Sequence, residues 1–206
     1  MILLRAKLAD MERSYEWEHV SDRRIRNEAT VRFEVGGLAA TGTQTGSDYK
    51  AEWQLDARDN WTTQRVAVSV VGEDWKRSLI LSRSATGKWS SETALDGQQP
   101  ADMAPPGIAT GEDLTQALDC DLGLCPLTNT MPIRRLSLLR SAVPETKLIM
   151  AWIDMPSLQV IASDQYYASV DSQTVSYASG TRGVDVELQV DDDGVVLLYP
   201  DLARRV

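Results

Sequence analysis

Arg134 and Arg135 stand side by side in the segment 125–136, just after Thr128, Asn129, Thr130 and Pro132. A guanidinium presents a planar fork of donors that matches a phosphate, a carboxylate or a sugar hydroxyl. Neighbours on a helix point about a third of a turn apart, so these two can serve different partners. Each has two readings, as a contact to the head group of a ligand or as an ion pair to Asp119, Asp121 or Asp154 that fastens helix to sheet. The structural reading is preferred. Asn129 reads as a helix cap or as a ligand contact, with capping preferred.

Asp119 and Asp121 are spaced two apart and share a face if Cys120 lies in a strand. Two such carboxylates could share a proton or straddle a glycosidic bond, but an ion-pair role with the arginines is preferred. His19 has an imidazole suited to general base work, yet no Gly-x-Ser-x-Gly elbow supplies it with a nucleophile. The run Asp191–Gly194 lacks the twelfth-position glutamate of a calcium loop and reads as an acidic hairpin turn. Cys120 and Cys125 have neither redox spacing nor partners for a zinc site. Cys120 reads as a small buried hydrophobe, and a disulfide between the two stays open. No phosphate loop, dinucleotide fingerprint or zinc-protease motif occurs, so no cofactor and no metal are expected.

These side chains need elements to hold them, and the elements are mostly strands. Tyr15, Trp17 and His19 alternate with Glu16 and Glu18. The same period of two runs through Val31–Val35, Tyr49–Leu55, Val66–Val70 and Val184–Val190, the pattern of strands with one apolar face. Turn formers divide them at Gly36-Gly37, Asp59-Asn60, Ala85–Gly87, Asp96-Gly97, Ser179-Gly180 and Asp193-Gly194. Many short strands at close spacing predict a barrel, sandwich or rolled sheet. A single helix is signalled, beginning near Thr130–Pro132, where Pro132 needs no N–H, and running to about Arg140 before Pro144. It is too short to persist without packing. Residues 98–111, with three prolines and two glycines, read as a loop inserted within a single domain spanning 1–206.

The chain has 206 residues, 43% of them hydrophobic and 25% charged, as in ordinary globular proteins. Its net charge of −9 argues against nucleic acid and against anionic membrane surfaces. No stretch approaches transmembrane length, so membrane insertion is not expected. Residues Met1–Asp10 lack the long apolar core of a secretory signal, which makes the cytoplasm the expected location. Six Trp and six Tyr accompany a single Phe. Such amphipathic rings suit wet cavities as well as cores.

Leu127–Leu136 resembles the signature of a bacterial family described as glycolipid-binding. The likeness extends through Trp53, Asp56…Asn60-Trp61, Leu79–Trp89, Trp152–Val160, Gln165–Tyr167 and Val190–Leu202, nearly the whole chain. The resemblance implies an all-β spiral β-roll, a many-stranded, mostly antiparallel sheet wound around one α-helix, and a homodimer. With the aromatic excess, it implies a lipid-like or glycolipid-like ligand in an apolar cavity with a polar mouth. Trp17, Trp61, Trp152, Tyr166 and Tyr167 would form its wall, and Arg134, Arg135 and Asn129 would meet the head group. Binding is preferred to turnover. A hydrolase for a glycosyl or acyl substrate, or a dimeric interaction protein without a small ligand, are the alternatives.

Overall fold

The structure, a computed structural model, describes residues 12–206; Met1–Asp10, read above for a secretory signal, lie outside the described residues. Seven strands come first: β1 (Glu12–His19), β2 (Arg26–Glu34), β3 (Gly37–Thr45), β4 (Lys50–Arg58), β5 (Thr62–Val71), β6 (Trp75–Arg83) and β7 (Trp89–Gly97). They form an antiparallel meander. Each places its apolar row on one face: in β4, Ala51, Trp53 and Leu55 are buried while Glu52 and Gln54 are exposed. Val35 is the exception to the alternation. It falls beyond the end of β2 in the turn and is almost fully exposed.

Two short strands, β8 (Gly107–Ile108) and β9 (Asp119–Leu122), lead to the helical segment. The second half then adds β10 (Thr146–Ile153), β11 (Gln159–Ser169), β12 (Thr174–Ser179), β13 (Val184–Val190), β14 (Val196–Tyr199) and β15 (Ala203–Arg205). β15 pairs with β1, with Trp17 opposite Arg205 and His19 opposite Ala203. The first and last described strands thus join the two meanders into one open sheet, β7 at one edge and β9 at the other. Its pairings are antiparallel except that β9 joins β10, and β8 joins β11, in parallel. A parallel neighbour needs a crossover, and the helix lies in the one from β9 to β10.

The sheet curls until its far regions meet. Leu118 accepts a backbone bond from Thr63 on β5 at 3.1 Å, and Ala117 accepts from Arg83 Nε and Trp89 Nε1 at 3.1 and 3.0 Å. Between the walls lie two buried apolar clusters. One joins β1–β6 to β9–β11 through Leu127 and Met131, and the other gathers Ile133, Leu138, Tyr167, Tyr177 and Tyr199. The helix therefore plugs both.

That helix is shorter than its signals. A 3₁₀ turn at Pro126–Asn129 runs into α1 (Thr130–Arg135). Termination is by a Schellman arrangement: Leu138 N bonds Ile133 O at 3.1 Å and Ser137 N bonds Arg134 O at 3.2 Å. Ser137 occupies the left-handed position at φ +57°, where a glycine would be the ordinary choice. The 98–111 loop is likewise more ordered than its composition suggests, since it contributes β8. Among the described residues, no helix is long and apolar enough to cross a membrane.

Candidate functional site

The helical segment sends its two arginines to different places. Arg135, nearly buried, reaches the fully buried Asp119 at 2.5 Å. Burial pushes the Asp119 carboxyl above its ordinary range, and the guanidinium of Arg135 opposes that shift. Arg134 instead lies over the ring of Trp61, 4.9 Å from its centroid. Asn129 makes no capping bond, although it sits where a cap would, because its own backbone is helical. Its Oδ1 and the Thr130 hydroxyl are buried without partners among the described residues.

Asp121 is the hub of a second buried network. It accepts from Thr128 Oγ1 at 2.9 Å and from Gln165 Nε2 at 2.7 Å, and Arg182 lies 3.8 Å away. Burial pulls the Arg182 guanidinium down, but Asp121 and Tyr177 more than offset this and leave it raised. Burial pushes Tyr199 up to about 12. Asp121 is thus satisfied by hydrogen bonds inside the roll, whereas Asp119 is paired through Oδ1 alone and its buried Oδ2 has no partner among the described residues.

Two of the expected wall aromatics adjoin this network. Tyr167 is buried and donates to Gln165 Oε1 at 3.1 Å, and Trp152 lies beneath Arg182 at 5.4 Å. Trp17 is fully buried elsewhere, donating to Val196 O at 2.7 Å across the β1–β15 seam. Tyr166 is half-buried and donates to Asp164 at 3.2 Å. The fold thus unites Arg134 with Trp61 and sets Trp152 and Tyr167 at separate points of the Asp121 network, but does not bring all eight residues into one cavity. His19 accepts locally from Ser21 N at 3.2 Å. Cys120 and Cys125 are buried and unbonded to each other.

An open groove of about 840 Å³ lies on the other face of the first meander, within the range of small-ligand sites. Its floor follows from strand register. One row across β1–β6 reads Glu16, Glu28, Thr43, Glu52, Ser69 and Ser78. The adjacent row reads Ser14, Thr30, Thr41, Gln54, Ala67 and Ile80. Strands lie about 4.8 Å apart, so six of them give a trough roughly 24 Å long. Carboxylates, hydroxyls and an amide occupy the β1–β4 end, and at the β5–β6 end Ala67 and Ile80 form an apolar row beside Ser69 and Ser78. Arg65 stands beside it.

Glu16 and Glu28 face each other directly across β1 and β2, a placement of like charges that costs stability. Arg26 pairs with Glu16 at 3.2 Å. Glu28 and Glu52 have no cation within ion-pair distance among the described residues, so their oxygens are open to a ligand. Sequence reading missed this groove because its residues are the ordinary polar half of each alternating strand. Only the register makes them a row.

The family described as "Putative glycolipid-binding" matches residues 14–205. No curated protein matches the chain. A crystal structure of a DUF1089 family protein from Pseudomonas aeruginosa is similar in fold, with a TM-score of 0.67 at 24% identity, covering 87% of this chain and 92% of that one.

Proposed function

The chain belongs to this bacterial family, and from that premise we propose that it binds a glycolipid-like amphiphile whose sugar head group lies in the outer groove. Family membership supports a binding role in general; the groove supports the kind of ligand. The observation that carries the reading is the floor of the trough, where one row stays polar throughout and the adjacent row turns from polar to apolar. Carboxylates and hydroxyls at one end can both accept from and donate to sugar hydroxyls, and the alkyl surface of Ala67 and Ile80 continues from them toward β6. Three glutamates against one arginine make this a poor seat for a phosphate and a suitable one for neutral hydroxyls.

Glu28→Gln and Glu52→Gln test this reading against binding of a soluble short-chain glycolipid. Each should weaken affinity by about tenfold, roughly 1.4 kcal/mol. Glu28→Gln should at the same time leave stability unchanged or raise it, because the repulsion from Glu16 is relieved. Unchanged affinity in both variants would remove the groove from the site. Extraction of protein purified without detergent from its native cells, followed by mass spectrometry, identifies a retained lipid directly. A homodimer is part of the same proposal, and sedimentation velocity tests it: only monomer at high concentration would exclude it.

A further inference from the structure

We infer that Arg134 and Arg140 form a second, separate site, a seat for one tetrahedral oxyanion of the phosphate class, in the small cavity beside Trp61. The cavity measures about 130 Å³, room for about four waters at about 30 Å³ each and hence for one phosphoryl group. Trp61, Ile133 and Leu139 give it apolar walls, and Arg134, Arg140 and Ser137 give it donors.

Among the described residues Arg140 makes no ion pair and Arg134 makes only a long one. Arg134 makes no side-chain hydrogen bond among them. Asp193 Oδ1 lies 4.0 Å from Arg134, and its other oxygen is held by Arg13. Asp192 also lines the cavity, and among the described residues it forms no ion pair with either arginine. Two cations facing one half-buried space repel each other: burial first, then Arg140 and Arg13, lower the proton affinity of Arg134, and Asp191 only partly opposes them. An oxyanion between them would relieve both effects through charge-assisted bonds. The Trp61 ring, 4.9 Å from the guanidinium carbon, helps to position the Arg134 fork.

The backbone is strained on both sides of this cavity. Asp59, Asn60 and Trp61 are consecutive residues at φ +50°, +68° and +66°, and Ser137 across from them is at +57°. Left-handed non-glycine residues persist where the surroundings demand them, and they cluster at ligand sites. Here they aim Trp61 at Arg134 and turn the chain so that Arg140 comes back beside Arg134.

The test is a titration of the whole chain with inorganic phosphate at constant ionic strength, following the Nε–Hε NMR signals of the two arginines. Both signals should shift to saturation, equal chloride should not reproduce the shift, and Arg140→Gln should weaken binding at least about fivefold. Arg140 is exposed, so that variant should fold; far-UV circular dichroism checks it. A linear, chloride-like response, or unchanged affinity in Arg140→Gln, overturns the site. Dihexanoyl phosphatidic acid below its micelle threshold separates the sources. Binding about tenfold tighter than phosphate assigns a lipid head group, and equal binding assigns free phosphate. The glutamate variants of the outer groove leave this result untouched, so either site can fail alone.

Discussion

The guanidinium of Arg135 lies 2.5 Å from Asp119, with the carboxylate shut away from water and the arginine nearly so. This pair bolts α1 to β9 at the edge of the sheet. Removing one partner of a buried pair leaves an uncompensated charge, which typically costs about 3–5 kcal/mol. Arg135→Ala should therefore lower the urea midpoint sharply. Asp119→Asn in the same chain should recover part of the loss, since no lone carboxylate then remains. A double variant no more stable than Arg135→Ala would show that packing of the arginine stem, not its charge, holds the helix.

Much of the sheet was legible because a strand with one buried face must alternate. Val66–Val70 and Val184–Val190 announce β5 and β13 in that way. The helix was legible in position but not in length. No glycine marks its end, and Ser137 takes the left-handed turn that a glycine would have advertised. That turn also hid Arg140. In an unbroken helix six residues place it about a third of a turn round from Arg134 and about 9 Å along the axis; the reversal after Ser137 brings it back. Arg182 was invisible for another reason, being sixty-one positions from Asp121 and joined to it only by the roll.

Arg77 holds the 98–111 segment against the body of the protein. Its Nη1 donates to Ala104 O at 2.5 Å and to Ser157 O at 3.0 Å, and its Nε to Gln99 Oε1 at 2.9 Å. Arg77→Met keeps the stem but strands these acceptors, at about 1–3 kcal/mol for each buried group left unsatisfied. Limited proteolysis should then cut within 98–111 well before any other site. Cleavage at the wild-type rate would mean that β8 alone secures the segment.

Asp164 fastens the turn between β12 and β13 from its place on β11. Its Oδ1 accepts from Thr181 Oγ1 at 2.6 Å and from Thr181 N at 3.0 Å. The Thr181 hydroxyl is the main cause that holds this carboxyl below its ordinary range, with further help from Tyr166 and Lys147. A lowered acid contributes stability that is present above the ordinary carboxylate range and lost as pH falls through its folded value. Thr181→Val should flatten that part of the acid limb, by under about 1 kcal/mol at so wet a position. Urea midpoints measured from neutral to strongly acidic pH would reveal it, and parallel curves for the two proteins would remove Asp164 from the account.

Gly42 links core packing to the outer groove. A Cβ added to it would collide with the Trp53 indole and with the Glu28 carbonyl. The carbonyl belongs to a residue whose side chain lines the groove. Gly42→Ala should thus do two things at once: destabilise the protein by about 1–3 kcal/mol through overpacking, and weaken glycolipid binding by shifting Glu28. Gly183 is the control, since its Cβ would meet open space and its φ of +65° brings strain alone, roughly 1–2 kcal/mol. Gly183→Ala should lose comparable stability with full affinity. Equal affinity losses in the two variants would mean that binding follows global stability; a loss confined to Gly42→Ala would tie it to the position of Glu28.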